Sequence, residues 1–210
     1  MNKFVIGFVK VTGWLPYFFA SRTKIYYQDK KIQSRKIKGP AIIISNHKSI
    51  CDFATIMYTF SKRILRCVIA DIVSKKSKAS IRFMKQMGTI PINRETKDTT
   101  FVNECLQILK DGGIIEIFPE GRLHKKGEEN VELLPFSHIA SFLSYNSGVK
   151  IIPVYITGKY GKKERNRRVI GKPIYVKNII NKQLSKKTNI NNITKHLEKT
   201  VLELKNEIKK

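Results

Sequence analysis

The chain has 210 residues, which suits one domain with some additions and is short for two. Hydrophobic residues make up 41% of it and charged residues 27%, a balance that excludes disordered, collagen-like and multi-span membrane proteins. Lys and Arg number 41 against 16 Asp and Glu, and the net charge of +25 predicts an anionic partner: a membrane surface, a nucleic acid, or an acidic protein or small molecule. A basic but merely solvated surface is the alternative that charge alone leaves open.

The first apolar segment runs from Phe4 to Ala20 and is interrupted by Lys10 and Pro16. Crossing a bilayer takes about 20 mostly apolar residues, and no small-residue cleavage site of the usual kind follows, so we predict neither a simple span nor a secretory signal. Aromatic residues with lysines beside them suit the headgroup region. The segment is therefore predicted to be a helix or helical hairpin in the membrane interface. A buried helix covering one edge of the core is the alternative.

Beyond residue 23, short β-branched runs alternate with helical patterns. This alternation predicts the α/β class, with a central, largely parallel sheet flanked by helices. The predicted strands lie near 24–28, 41–46, 66–70, 88–92, 113–118, 150–156 and 168–175. The predicted helices lie near 49–60, 75–87, 98–111, 137–146 and 190–208, the last with an apolar stripe typical of a docking face.

These elements divide the chain into three parts. Residues 1–22 form the N-terminal membrane-interface segment, residues 23–188 the α/β domain, and residues 189–210 a C-terminal amphipathic helix packed on that domain. Residues 158–168 are rich in Lys and Arg and are interpreted as a basic surface loop.

The chain has three cysteines, Cys51, Cys67 and Cys105, at spacings that fit neither a disulfide framework nor a zinc site. Its four histidines form no pair at the spacing of a metal site. We therefore expect a reducing cytosolic setting, no bound metal and no cofactor.

Ligands of open α/β sheets bind outside the carboxyl ends of the strands, so chemistry is sought where strands end. Four segments qualify, at 46–52, 88–94, 118–122 and 151–154. In the first of them, a neutral His47 could accept a proton from a hydroxyl if a carboxylate fixed its tautomer, and Asp52 could supply that carboxylate.

Both residues of this pair also have a structural interpretation. Ser49 and Asp52 fit a capping box, with Ser49 as N-cap and Asp52 three residues into the helix. A single histidine before a helix is structural in most proteins. It is the combination of the four segments that favours catalysis.

The four segments carry a set of motifs in a fixed order. They read Asn-His-x-Ser-x-x-Asp at 46–52, Gly-x-Ile-Pro-x-x-Arg at 88–94, Phe-Pro-Glu-Gly at 118–121 and Ile-Pro-Val at 152–154. In order, spacing and strand context this set resembles the glycerolipid acyltransferases that act on lysophosphatidic acid (1-acyl-sn-glycerol 3-phosphate).

The resemblance implies a mechanism. His47 would be the general base that deprotonates the free hydroxyl of lysophosphatidic acid, with Asp52 orienting its ring. The oxygen would then attack the thioester of an acyl carrier protein or acyl-CoA and give phosphatidic acid without an acyl-enzyme. Backbone N–H groups around Gly88 or Gly121 are candidates for stabilising the oxyanion, and the sequence does not choose between them.

The resemblance also implies ligands for the acceptor. Arg94 matches the position that binds its phosphate in the family, and guanidinium geometry suits a bidentate contact. Glu120 would position substrate or hold an arginine, with a structural ion pair as the alternative. The family most often continues Pro-Glu-Gly with Thr-Arg, whereas Arg122 follows directly here. Arg122 is then the second phosphate ligand, with Lys125 and Lys126 as substitutes, and the acceptor headgroup stays open.

The partners expected from these observations are an anionic membrane surface, lysophosphatidic acid, and acyl carrier protein or acyl-CoA. The expected location is the cytoplasmic face of the cell membrane, as a peripheral or monotopic protein. Another lysophospholipid or glycerol 3-phosphate is the alternative acceptor. A nucleic-acid-binding protein is the alternative from another class, but no nucleic-acid-binding motif supports it. A non-catalytic membrane adaptor would not need both His47 and Asp52.

Overall fold

Seven strands form one central sheet in the computed structural model, which describes residues 1–21, 23–70, 77–92, 99–128, 130–158, 160 and 165–208. The strands are β1 Lys24–Tyr27, β2 Ala41–Ser45, β3 Leu65–Ala70, β4 Ile90–Ile92, β5 Ile114–Ile117, β6 Ile151–Thr157 and β7 Arg167–Ile170. Their order is β1-β7-β6-β2-β5-β3-β4, and neighbours are parallel except β6 and β7. The predicted α/β class with a largely parallel sheet is confirmed.

Helices cover both faces of the sheet. Within the described ranges they are α1 Lys3–Ser21, α2 Asp52–Thr59, α3 Lys78–Met87, α4 Thr100–Lys110, α5 Ile139–Ser147 and α6 Lys186–Glu203, with 3-10 turns at Val176–Asn178 and Leu204–Ile208. Helices α4, α5 and α6 pack on one face, and α2 packs on the other. Helices α1 and α3 lie on the outer side of α2, and the three helices share a small apolar cluster.

Strand β2 shows why the sheet forms where it does. All five of its residues are buried, which is what a continuous β-branched run in a two-sided parallel sheet requires.

Helix α6 buries its apolar stripe in the core, at Ile190, Ile193, Leu197 and Val201. It begins earlier than predicted, because the Ser185 hydroxyl caps it by accepting a hydrogen bond from the Thr188 N–H.

Other boundaries differ from the prediction. The strand predicted at 168–175 ends at Ile170. Gly171 follows, where a side chain would collide with Pro153 at 2.8 Å, and Pro173 has no N–H to donate to a sheet. The predicted starts of helices at 75 and 98 lie outside the described residues.

In the part of the chain that the structure describes, the Glu116 side chain lies in the sheet interior without a hydrogen-bond partner. Glu116 of β5 is 1% exposed, and neither of its carboxylate oxygens has a hydrogen bond among the described residues. Burial, with the nearby Asp52 charge adding to it, raises the pKa of Glu116 well above its usual range. The group is therefore protonated in the folded protein at pH values where the unfolded chain has lost the proton.

The raised pKa of Glu116 predicts how the stability of the folded protein changes with pH. Between the unfolded and folded pKa values the native state binds one more proton, so Glu116 makes the free energy of unfolding fall by about 1.4 kcal/mol for each pH unit of increase. The Glu116→Gln variant lacks this contribution. We expect its stability relative to wild type to rise from pH 5 to pH 8 in urea unfolding experiments. An exposed control, Glu203→Gln, should track wild type; parallel curves for Glu116→Gln would contradict the assignment.

Candidate active site

The first candidate segment, 46–52, leaves the sheet at a fixed point. Asn46 follows β2 and is 1% exposed. Its side-chain amide donates to the Ile156 carbonyl at 2.8 Å and accepts from the Ile156 N–H at 2.7 Å, which clamps the end of β2 to β6. His47 therefore lies at the carboxyl end of a central strand, as the sequence predicts.

His47 and Asp52 are in contact across the turn before α2. Nδ1 of His47 lies 3.2 Å from Oδ2 of Asp52, and the imidazole stacks on the Phe118 ring with centroids 4.1 Å apart. A carboxylate accepts hydrogen bonds, so Nδ1 is the donor to Asp52, and in the neutral imidazole Nε2 then keeps a lone pair. Within the described residues, Nε2 has no hydrogen-bond partner. The predicted contact is confirmed, and the role of His47 as base stays a prediction.

Asp52 is held from several directions. It is 2% exposed, and Oδ2 also accepts the backbone N–H groups of Lys48 and Ser49, each at 2.8 Å. The bond from Ser49 is half of a capping box. The other half is missing because the Ser49 hydroxyl accepts from Cys51, which is the N-cap, and α2 begins at Asp52. The carboxylate thus holds the turn before the helix and contacts the His47 ring at the same time.

Glu120 joins three segments of the chain. Its side chain is fully buried; Oε1 accepts the His47 N–H at 2.6 Å, and Oε2 accepts the Leu134 N–H at 2.7 Å. Oε2 also lies 2.9 Å from Nε2 of His124, whose side chain is 9% exposed. The partner of Glu120 is therefore a histidine, and the sequence analysis did not assign a role to His124. This geometry makes Glu120 a residue that positions the His47 backbone.

The two candidate glycines both donate elsewhere. Gly121 N–H donates to the Phe118 carbonyl at 3.0 Å, and Gly88 N–H donates to the Lys85 carbonyl at 3.1 Å. Gly88 ends α3 with φ +75°, before the amino end of β4, whereas His47 follows the carboxyl end of β2. The structure does not bring Gly88 to His47, so its geometry favours a helix-ending role. Oxyanion binding by either glycine stays a prediction.

The residues that the sequence predicts as phosphate ligands have different surroundings. Arg122 makes a two-pronged ion pair with Glu128, with N–O distances of 2.7 and 2.8 Å. This pairing lowers the pKa of Glu128 to about 2. Lys125 donates its backbone N–H to the same carboxylate. Arg94 lies outside the described residues.

A cavity of about 950 Å³ opens beside Asp52, and five cationic side chains line it. They come from three segments that end at this edge: Lys48, Lys125, Lys126, Arg165 and Arg167. Burial lowers the pKa of Lys48, and the negative charges of Glu120 and Asp52 oppose that shift. The cavity is suited to an anionic group.

The segment interpreted as a basic surface loop contributes to this site. Tyr160 lines the cavity, and its hydroxyl donates to Oδ1 of Asp52 at 2.8 Å. Arg168 is buried in β7, at 2% exposure. The sequence holds one clue, because residue 160 lies four residues after the strand predicted at 150–156, but the run of charges that follows predicts a basic surface loop. Among the described residues, no three His, Cys, Asp or Glu side chains group as a metal site.

The sequence of this chain is similar to those of known acyltransferases. The Acyltransferase family model matches residues 24–157. A 1-acyl-sn-glycerol-3-phosphate acyltransferase from Haemophilus influenzae is 31% identical, over 87% of this chain and 75% of that protein. The human 1-acyl-sn-glycerol-3-phosphate acyltransferase beta is 25% identical, over 70% of this chain and 51% of that protein.

The fold has a solved counterpart. The crystal structure of the 1-acyl-sn-glycerophosphate (LPA) acyltransferase PlsC from Thermotoga maritima superposes with a TM-score of 0.70 at 18% identity, over 99% of this chain and 80% of that one. The family model covers more than half of the chain, which defines the class as an acyltransferase. The chain belongs to the 1-acyl-sn-glycerol-3-phosphate acyltransferase family. It spans about half the length of the human and Brassica napus relatives, at 51% and 41%.

Proposed function

We propose that this protein transfers a fatty acyl group from an acyl thioester to the free hydroxyl of 1-acyl-sn-glycerol 3-phosphate and so makes phosphatidic acid. The observation that carries the proposal is the His47–Asp52 pair, with Nε2 unpaired among the described residues, beside a cationic cavity. The name of the Haemophilus influenzae relative supports the acceptor.

The proposed reaction needs one base and one leaving group. Nε2 of His47 takes the proton of the acceptor hydroxyl while that oxygen bonds to the thioester carbonyl carbon. The tetrahedral intermediate collapses, the carbon–sulfur bond breaks, and the imidazolium returns the proton to the departing thiolate. Asp52 stabilises the imidazolium and keeps the ring in one tautomer, which is the arrangement general-base catalysis requires. Acyl carrier protein and acyl-CoA both supply such a thioester.

The acceptor phosphate is proposed to bind in the cavity. Lys48, Lys125 and Lys126 line it together with two arginines, and three of these cations follow the strands that carry His47 and Glu120. Arg122 would have to leave Glu128 to reach a phosphate, so we assign the phosphate first to the lysines. Arg94 stays proposed as a further ligand.

An acceptor panel tests this function. The purified protein in detergent would be given acyl carrier protein and CoA thioesters with lysophosphatidic acid, glycerol 3-phosphate or lysophosphatidylethanolamine. We expect transfer to lysophosphatidic acid. Transfer to another acceptor alone would keep the chemistry and replace the substrate, whereas no transfer to any acceptor would overturn the proposal.

We also propose that the protein binds the cytoplasmic face of the membrane through α1, which lies in the interface. By length and composition this helix could cross a bilayer, and only 11% of it is buried. Its other face, however, is tied to the domain: Lys10 Nζ donates to the carbonyls of Ser61 and Arg63, and Tyr17 stacks on Tyr58. A helix that is held along one face is expected to lie flat on the membrane, with its exposed apolar side toward the lipid.

The exposed side of α1 yields a prediction. Phe4 and Phe8 are 81% and 60% exposed and lie one helical turn apart. Because burying a phenyl group in lipid contributes about 2 kcal/mol, the double variant Phe4→Ser/Phe8→Ser should bind anionic vesicles at least about tenfold more weakly in sedimentation assays. The matched control Val131→Ser/Leu184→Ser replaces exposed apolar residues elsewhere and should bind normally. Equal binding by both variants would speak against the interfacial placement.

A further inference from the structure

A chain of hydroxyl groups leads from Asp52 into the protein, on the side away from His47. The Tyr160 hydroxyl lies 2.8 Å from Oδ1 of Asp52 and 2.5 Å from Oγ1 of Thr55. The Tyr17 hydroxyl lies 3.2 Å from the same Thr55 oxygen, and Nη2 of Arg168 lies 2.7 Å from the Tyr17 hydroxyl. The chain therefore has five members.

The two ends of this chain fix the direction of its hydrogen bonds. A guanidinium only donates and a carboxylate only accepts. Arg168 thus donates to Tyr17, Tyr17 to Thr55, Thr55 to Tyr160, and Tyr160 to Asp52. Burial and the Asp52 charge raise the pKa of Tyr160, so the phenol keeps the proton that it donates.

Tyr160 has a distinct place among the donors to Asp52. Oδ2 accepts from the His47 ring and from two backbone amides, whereas Oδ1 accepts from Tyr160 alone among the described residues. The backbone amides sit on the catalytic turn itself. Tyr160 comes from the segment after β6, so it is the donor that fixes the carboxylate relative to the rest of the domain.

The far end of the chain lies on α1. Tyr17 belongs to that helix, and its ring stacks on Tyr58 of α2 with centroids 4.6 Å apart. Thr55 belongs to α2, one turn after Asp52. The packing of α1 on the domain is thus connected to the catalytic carboxylate by three consecutive hydrogen bonds.

We propose that Tyr160 is a positioning residue for the acyl transfer, which holds Asp52 and through it His47, and that Thr55 and Tyr17 extend this support to the docking of α1. This inference rests on the proposed function. It adds a residue that acts through Asp52 and a reason for α1 to carry a tyrosine on its inward face.

The test removes single hydroxyl groups. Tyr160→Phe should lower kcat by about 10- to 100-fold, as expected for a lost hydrogen bond to a buried charge, and leave KM for both substrates within about twofold. Tyr17→Phe should lower kcat by a smaller factor. If Tyr17 acts through Tyr160, the double variant should lose no more than Tyr160→Phe does, within about twofold, as in a double-mutant cycle.

Controls separate this inference from the function on which it rests. Tyr145→Phe, on α5, should behave as wild type. The proton resonance of the His47 Nδ1–H should shift or broaden in Tyr160→Phe, and this readout does not depend on activity. An active wild type with unchanged kcat and resonance in Tyr160→Phe would overturn the inference alone; an inactive wild type would overturn the function, and the resonance would then decide on Tyr160. If Tyr160→Phe does not fold, Thr55→Val must show the same resonance change, and an unchanged signal there overturns the inference.

Discussion

Replacing His47 with alanine is expected to lower acyl transfer to lysophosphatidic acid by at least about a hundredfold, because general-base assistance contributes roughly 10² to 10⁴ in rate. The fold should survive. Asp52 would keep the Lys48 and Ser49 amides and the Tyr160 hydroxyl as donors, so no buried charge is orphaned. We expect thermal unfolding close to wild type and a loss confined to kcat.

His196 offers a matched control for this prediction, because it is an exposed histidine on α6. His196→Ala should transfer acyl groups to lysophosphatidic acid at the wild-type rate in the same assay. A His47→Ala variant that retained more than about a tenth of the wild-type activity would contradict the assignment of His47 as the general base.

The second large effect is expected at Glu120, where Glu120→Gln should lower both activity and stability. Three donors face this carboxylate: the N–H groups of His47 and Leu134, and Nε2 of His124. Glutamine has one acceptor oxygen. Whichever way its amide points, its NH₂ group faces either the His47 or the Leu134 N–H.

An unpaired buried amide costs about 1 to 3 kcal/mol, and we expect that loss in urea unfolding. Because the unpaired amide also shifts the His47 backbone, the rate of acyl transfer should fall by about tenfold or more. The control Glu104→Gln removes an exposed ion pair with Arg66 and should change stability by less than about 1 kcal/mol. Wild-type stability and rate in Glu120→Gln would show that Glu120 does not position His47.

The sequence was sufficient for those parts of the site that depend on local pattern. The isoleucine run of β2 locates a buried strand, and the chain must emerge at its carboxyl end with His47. Asp52 follows at a spacing that one turn closes. The same spacing suits a capping box, of which the structure forms one bond, from the Ser49 N–H to Oδ2 of Asp52, while the same oxygen contacts the His47 ring.

Other parts depend on contacts between distant segments. Tyr160 is 108 residues from Asp52 along the chain, and nothing local distinguishes it from a solvated tyrosine. For Glu120 the sequence predicts substrate positioning, an arginine partner or a structural ion pair, and the loop that follows brings His124 to it. Arg122 was expected at the phosphate, but an acidic residue six positions later, Glu128, pairs with it. In each case the path of a loop decides which partner a side chain meets. The periodicity of the sequence does not encode that path.

The edge position of β1 has a consequence for how the chain folds. Among the described residues this strand pairs only with β7, more than a hundred residues later in the chain. During synthesis β1 is made early and has no partner strand until β7 follows, because contacts between distant segments form late. Helix α1 packs on α2 and α3, which are made well before β7, so it can dock while that edge of the sheet is still open. A chain stopped before β7 would leave β1 unpaired.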